Sequence, residues 1–223
     1  MQRTRIYLVR HGQVEGHEEK RYNGQVNVPL TPLGKTQSDR VCDCLHDVVL
    51  DAVYSSDLDR SRYCAELIAA SHDLTVTTYE ALRELHIGDW EGRTWAELQE
   101  AYPDDWQARL QDLVNFQVPG GESLQDAADR IRPIIEQMLD RHRGGDIALV
   151  AHGGVNRIIL LDAIGAPLQQ AFSIEQDYGC LNIIDYFTDG HSLVRLLNGT
   201  AHQAADGVSR SAPNLLIGRL AQG

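Results

Sequence analysis

Three short apolar runs in this sequence each end abruptly on polar residues, and they restrict the possible folds more than any other feature. Residues 6–9 stop at an Arg-His-Gly sequence, residues 51–54 at two serines and residues 147–151 at a His-Gly-Gly sequence. Apolar runs of this length, bounded by polar or glycine residues, are typical of buried strands. Helical patterns follow the second and third runs directly, and such alternation favours a mostly parallel central sheet. We therefore predict an α/β fold, a three-layer α/β/α sandwich.

Periodicity and turn residues predict the remaining elements of the chain. Helices are expected over about residues 31–45, 57–71, 94–101, 104–113, 123–142 and around 158–161, and further strands over 74–77, 180–186 and 192–197. Residues 55–57 offer N-caps for the second helix, and residues 12–30 and 82–92 are expected to be loops. We expect one domain over residues 1–198 and a C-terminal tail over 199–223.

Composition and charge exclude several classes of function. The 223 residues carry a net charge of -12, which argues against a nucleic-acid surface. The longest apolar runs are much shorter than a membrane span, and the amino terminus lacks the apolar region of a signal peptide. The four cysteines form no C-x-x-C pair, so we expect reduced thiols and a cytoplasmic protein. The histidine spacings match no familiar zinc pattern, so no metal or other cofactor is expected.

Four cationic or imidazole side chains are expected to meet at one edge of the sheet. Arg10, His11 and His152 directly follow strands, and Arg60 falls in the first turn of the second helix. If these strands are neighbours, the side chains converge in the crevice beyond the strand ends, where α/β folds bind ligands. Two arginines can bind a phosphate through paired N–H donors, and the helix N-termini nearby would add backbone donors.

Two histidines and a carboxylate could then divide the work of phosphoryl transfer. His11 would attack phosphorus, while His152, if protonated, would stabilise the charge on the transferring oxygens. Glu84, in the charged loop near Trp90, is the best candidate for the acid that protonates a leaving alkoxide, and Glu91 and Glu80 are nearby rivals. The same carboxylate would later activate water.

Five motifs give the sequence a recognisable resemblance. They are LVRHG at residues 8–12, SSDLDRS at 55–61, ELHIGDWEG at 84–92, PGGES at 119–123 and AHGG at 151–154. Over residues 4–198 the chain resembles the histidine phosphatase superfamily, also called the phosphoglycerate-mutase-like family. The resemblance implies that fold, His11 as nucleophile, Glu84 as acid and base, His152 as the second histidine, and Arg10 and Arg60 as phosphate ligands. It implies no metal.

The resemblance also suggests where substrate binds and where this chain departs from the family. Asn23, Gly24 and Gly153 are expected to contact substrate, together with Arg10 and Arg60. His17 is included because it occupies a position where the family often has asparagine. Asn27 stands where the family segment typically has an acid.

The short segment after Glu84 favours one branch of the family. Mutases usually carry a longer insertion there, whereas the form here is similar to the phosphatase branch, which includes α-ribazole phosphatases and phosphoserine phosphatases of this fold. We therefore expect a metal-independent phosphomonoesterase that hydrolyses a small phosphorylated metabolite through a phosphohistidine on His11. Phosphoglycerate mutase is the alternative, and a phosphate-binding sensor without turnover is a third hypothesis. The last hairpin could pair across a homodimer.

Overall fold

A computed structural model describes residues 2–200, which form a six-stranded sheet with helices on both faces. The strands are β1 (Arg3–Arg10), β2 (Ala52–Ser55), β3 (Val76–Thr78), β4 (Asp146–Ala151), β5 (Leu181–Phe187) and β6 (Ser192–Gly199). The α-helices are α1 (Pro32–Leu45), α2 (Asp59–Ala70), α3 (Trp95–Ala101), α4 (Pro103–Gln111), α5 (Leu124–Arg141) and α6 (Gly153–Ile164). Short 3-10 turns occur at His17–Glu19, Glu80–Leu82, Gly88–Trp90 and Leu168–Ser173.

The order of the strands brings the two His-Gly sequences side by side. Strands follow the order β3-β2-β4-β1-β5-β6; the first four are parallel, and β5 is antiparallel to both of its neighbours. Arg10 at the end of β1 is in register with Ala151 at the end of β4. His11 and His152 therefore leave adjacent strands at the same edge of the sheet.

Alternating side chains of the strands build two apolar cores, one on each face. Ile6 and Leu8 pack with the α5 and α6 face, whereas Tyr7 and Val9 pack with the α1 and α2 face. Successive strand side chains point to opposite faces, so a sheet covered on both sides needs continuous apolar strands. The observed architecture confirms the predicted three-layer α/β/α sandwich.

Two glycines fix the chain that follows His11 against the start of α1. Thr31 caps this helix by accepting a hydrogen bond from the Gly34 N–H, and Pro32 occupies its first turn. A Cβ on Gly12 would overlap the carbonyl group of Gly34, and one on Gly34 would overlap the backbone of residue 13. Only glycines permit this contact, which holds the backbone next to His11 in one position.

The predicted caps of α2 are wrong. The helix begins at Asp59, its N-cap is Leu58, and no side chain at the N-cap accepts a helix N–H. Ser56 instead contacts the ring of His152 at 2.7 Å, and Asp57 pairs with Arg83. The side-chain oxygens of residues 55–57 are thus occupied by tertiary contacts, which local sequence does not reveal.

Other boundaries differ from prediction by a few residues. The third strand lies at Val76–Thr78 rather than 74–77, and the expected loop 82–92 includes the 3-10 turn Gly88–Trp90.

No helix among residues 2–200 is both long and apolar enough to cross a membrane. Within these residues, Cys42, Cys64 and Cys180 form no disulfide. Most of the predicted tail, residues 201–223, lies outside the described residues, so the domain boundary at 198 remains a prediction.

Candidate active site

A cavity of about 180 Å³, open to solvent at its mouth, lies at the end of β1. Six of the residues singled out from the sequence line it: Arg10, His11, Asn23, Gly24, Arg60 and Glu84. They come from β1, the following loop, α2 and the charged loop before α3. The parallel sheet thus brings together side chains that are far apart in the sequence.

His11 and His152 lie edge to face, with ring centroids 5.1 Å apart and ring planes at 62°. Nδ1 of His11 is 2.8 Å from the carbonyl oxygen of Gly12, and a carbonyl can only accept, so this nitrogen carries the proton. That tautomer leaves a lone pair on Nε2. His152 is wholly buried, its Nε2 contacts Ser56, and its Nδ1 has no hydrogen-bond partner among the described residues.

Burial and neighbouring cations favour the neutral form of both imidazoles. The pKa of His11 lies well below its usual value of 6.5, first because of burial and then because of the charges on Arg60 and Arg10. The pKa of His152 is lowered in the same way, by burial and then by Arg60, with smaller contributions from His11, Arg10 and Arg130. A neutral imidazole is the form that can act as a nucleophile. Protonation of His152, as the sequence prediction requires, would need the charge of a bound anion.

Arg10 is held so that part of its guanidinium remains available. Its Nη1 donates to the carbonyl of Gln176, and its Cζ stacks 3.8 Å from the ring centre of Tyr178. Its buried Nε has no partner among the described residues. A stacked arginine with an unused donor beside His11 is well suited to bind an anion.

Arg60 is 2% exposed and fixes the loop that forms one wall of the cavity. Nη2 donates to the Gly24 carbonyl at 2.7 Å, and Nη1 donates to the Val26 carbonyl at 2.6 Å. These two bonds use two of the five guanidinium N–H groups, which leaves donors for a ligand. Burial lowers the pKa of Arg60, which nevertheless stays a cation at neutral pH.

Glu84 is positioned by backbone donors at the start of α6. The N–H of Gly154 lies 3.2 Å from each carboxylate oxygen, and the N–H of Leu85 donates to Oε1 at 3.0 Å. The predicted use of this helix N-terminus for phosphate therefore needs correction at Gly154, whose N–H is taken by Glu84. At the N-terminus of α2 the N–H of Asp59 is also taken, because it donates to the Asn27 side chain at 3.0 Å.

The PGGES motif supports the Glu84 segment through an ion pair. Glu122 accepts the His86 N–H at 2.9 Å and pairs with Arg130 at 2.6 Å. Arg130 also donates to the carbonyl groups of Ala81, Arg83 and Glu84. One arginine thus ties four acceptors together and fixes the backbone that carries Glu84.

Two predicted substrate contacts are not among the residues that line the cavity. His17 lies in the His17–Glu19 turn, where its imidazole is 3.9 Å from the Glu18 carboxylate. Gly153 lies behind Arg10, since a Cβ there would be 3.4 Å from the Arg10 Nε, and Gly154 lines the cavity in its place. Contact of substrate with either residue remains a prediction that this placement does not support.

The sequence interpretation missed several lining residues, chiefly Arg21, Tyr22, Arg109, Arg157, Phe172 and Tyr178. Arg157 follows Gly153 by one helical turn, so the AHGG motif could have indicated it. Tyr178 lies in an irregular segment before β5, and Arg109 lies on an amphipathic helix where a surface position was equally plausible. Among residues 2–200, no three His, Cys, Asp or Glu side chains cluster in a way that could hold a metal ion.

The arrangement has the chemical parts needed to move a phosphoryl group. A neutral His11 offers a nucleophilic nitrogen, and two arginines beside it can neutralise the equatorial oxygens of phosphorus. Glu84 lies on the same cavity and can exchange a proton with an ester oxygen or a water.

Comparison with known proteins agrees with this geometry. The family model described as histidine phosphatase superfamily (branch 1) matches residues 6–199. The adenosylcobalamin/alpha-ribazole phosphatase of Escherichia coli K12 is 28% identical over 88% of this chain and 97% of its own length. The crystal structure of the alpha-ribazole phosphatase from Shigella flexneri superposes with a TM-score of 0.82 at 29% identity, covering 92% of this chain and 99% of that one.

Other relatives carry a different name or a longer chain. A protein of Shigella boydii named as a probable phosphoglycerate mutase is 31% identical over 81% of this chain and 84% of its own. Some mycobacterial relatives at 33% identity are longer, and the chain spans 55% of their length.

Proposed function

The chain belongs to the histidine phosphatase superfamily, branch 1, and we propose that it is a phosphoric monoester hydrolase that acts on a small phosphorylated metabolite through a phosphohistidine on His11. One observation carries the proposal: the hydrogen bond from Nδ1 to Gly12 leaves the Nε2 lone pair of a neutral His11 free, beside Arg10 and Arg60. The first half-reaction would join Nε2 to phosphorus and break the bond from phosphorus to the ester oxygen. Glu84, in its protonated form, would give that oxygen its proton.

The second half-reaction would return the enzyme to its starting state. Glu84 takes a proton from water, the water oxygen bonds to phosphorus, and the bond from phosphorus to Nε2 breaks. Inorganic phosphate leaves, and Glu84 again holds the proton it gave away. Arg10 and Arg60 would stabilise the charge on the transferring oxygens in both steps, and His152 would do so once the bound anion favours its protonation.

Phosphoglycerate mutase is the second candidate, because a relative at 31% identity carries that name. A mutase uses the same phosphohistidine but returns the phosphoryl group to a sugar acid rather than to water. The short segment between Glu84 and α3 supports hydrolysis, since it contains only the 3-10 turn Gly88–Trp90 and no inserted helix.

Measuring phosphate release and mutase turnover on the same preparation tests the proposal. We expect phosphate release from p-nitrophenyl phosphate in the presence of EDTA, little conversion of 3- to 2-phosphoglycerate, and no hydrolysis by His11→Ala. Fast interconversion with little phosphate release would establish the mutase. Tight phosphate binding without turnover would establish a sensor instead.

Two further parts of the proposal concern cellular context. We propose a cytoplasmic location, which Cys42, Cys64 and Cys180 support because none of them forms a disulfide within residues 2–200. We also propose that a homodimer could form through β6, because this strand is at the edge of the sheet. Cell fractionation and light scattering test these two points.

A further inference from the structure

The cavity holds more positive charge than one phosphoryl group needs. Five of the residues that line it are arginines, and Glu84 is the one carboxylate among them, in a chain whose net charge is -12. Arg10 and Arg60 lie next to His11 and account for binding of the transferring phosphoryl group. Of the other three, Arg21 pairs with Glu19, and Arg157 donates to the Ile174 carbonyl and lies 3.8 Å from Glu175. Arg109 remains to be explained.

Arg109 is a buried cation without an anionic partner. It is 5% exposed, forms no ion pair with any residue in 2–200, and its buried Nη1 has no hydrogen-bond partner there. Its Cζ lies 5.7 Å from the ring centre of Tyr22 and 6.0 Å from that of Trp90. The aromatic rings offset part of the cost of burying the charge, but they leave its donors unused.

Arg109 also stands apart from the reacting groups. It comes from α4, which supplies no other lining residue, and its ring contacts are with Tyr22 and Trp90 rather than with a histidine. Its charge is therefore available to a part of the substrate other than the transferring phosphate.

We propose that Arg109 binds an oxyanion on the leaving group of the substrate, so that the preferred phosphomonoesters carry a second anionic group. Ile87, Leu113 and Leu124 line the same cavity, so the stretch that connects the two anionic groups is expected to be apolar. This inference rests on the proposed phosphomonoesterase activity and specifies its substrate class. A carboxylate and a second phosphate share the required chemistry, since either can accept from a guanidinium.

A matched series of esters tests the proposal. The probes are alkyl phosphates of graded chain length whose far end is a methyl, a hydroxyl, a carboxylate or a second phosphate. At the best length, wild-type kcat/KM is expected to be about 10- to 100-fold higher for an anionic end than for the methyl end, the range of one charge-assisted hydrogen bond. The carboxylate and bisphosphate arms show which oxyanion is preferred.

Substitution of Arg109 should remove that preference and little else. In Arg109→Met, kcat/KM for the anionic esters falls to the level of the methyl esters, mainly through KM, while the methyl esters change by less than about threefold. Arg109→Lys keeps the charge and is expected to retain part of the preference. Arg143→Met, which removes an exposed arginine paired with Asp140, serves as the matched control and should match wild type.

Two results would overturn the proposal. One is a wild-type enzyme that hydrolyses the methyl-ended esters but shows no preference for an anionic end at any length. The other is a folded Arg109→Met that keeps the preference. If that variant does not fold, Arg109→Lys takes its place: a partial loss of the preference supports the proposal, and full preference for the anionic esters contradicts it.

Failure of the underlying activity can be distinguished from failure of this inference. If the wild type hydrolyses none of the esters, the phosphomonoesterase proposal fails. Calorimetric binding of the corresponding non-hydrolysable phosphonates, with and without the carboxylate, then decides the role of Arg109. Tighter binding of the carboxylate form that is lost in Arg109→Met supports it, and equal binding of both forms contradicts it.

Discussion

The backbone N–H of Gly154 lies 3.2 Å from both carboxylate oxygens of Glu84, and no side chain larger than hydrogen fits between them. A Cβ on Gly154 would be 2.5 Å from Oε1 of Glu84 and would overlap the side chain of Leu85. The glycine of the second histidine motif therefore has a specific role, which is to let the acid reach the start of α6.

Gly154→Ala should accordingly displace Glu84 and slow catalysis. We expect kcat to fall by about 10- to 1000-fold, within the range of losing a well-placed proton donor and acceptor. Steady-state kinetics with an alkyl phosphate measures the effect, and circular dichroism checks the fold.

A double-mutant cycle separates this displacement from a general loss of structure. In a Glu84→Ala background, Gly154→Ala should cost little further activity, because the group it displaces is already gone. Fully additive losses would contradict the assigned role of the glycine.

Arg130 is expected to matter for both stability and turnover, although it does not line the cavity. Arg130→Met removes the cation that pairs with Glu122 and leaves the carbonyl groups of Ala81 and Arg83 without a side-chain donor, at a cost of about 2–4 kcal/mol of unfolding free energy. Since the released segment carries Glu84, kcat should fall about tenfold while KM changes less.

Urea unfolding and steady-state kinetics check both effects of Arg130→Met. Arg143→Met breaks an exposed ion pair with Asp140 and should stay within about 0.5 kcal/mol of wild type. Equal stability of the two variants would show that the contacts of Arg130 contribute nothing beyond those of a surface arginine.

The buried histidines make stability depend on pH in a predictable direction. In the unfolded chain their pKa is near 6.5, and in the fold the pKa of His11 and of His152 is well below that. Between these values the unfolded chain binds more protons, so stability is complete above about pH 6.5 and is lost as the pH falls below it. The loss can reach about 1.4 kcal/mol per histidine for each pH unit.

Urea unfolding at a series of pH values tests this expectation. His11→Asn should flatten the slope below pH 6.5, because one of the two buried imidazoles no longer titrates. Ser38→Ala, a buried change without a titrating group, should lower the whole curve and leave its slope unchanged. An unaltered slope in His11→Asn would contradict burial of a neutral imidazole.

Much of the fold could be predicted because local patterns and the sheet agree. The apolar residues of β1 and β4 fill both cores, so their continuous hydrophobicity was a reliable strand signal. Parallel connections then required the polar residues after β1 and β4 to meet at one edge. Thr31 and Ser123 cap α1 and α5, and both are residue types that favour this position.

The parts that could not be predicted depend on contacts between distant residues. Ser56 and Asp57 resemble helix caps, yet they contact His152 and Arg83, and sequence alone gives no means of choosing between local and distant partners. The unpaired donor of Arg109 could not be predicted either. Whether a helical arginine faces solvent or a cavity depends on the distant residues that pack around it. The position of His17 outside the cavity follows from the path of a loop without periodicity.

Trapping the phosphorylated enzyme is the most direct test of whether His11 is the nucleophile. In Glu84→Gln, p-nitrophenyl phosphate should still phosphorylate His11, because p-nitrophenolate leaves without an acid, whereas attack by water is slowed. We expect a burst of about one p-nitrophenolate per active site and an acid-labile phosphoryl group on His11 that is absent from His11→Ala. Wild-type hydrolysis with no phosphoryl group on His11 in either background, or with the group on another residue, would contradict it.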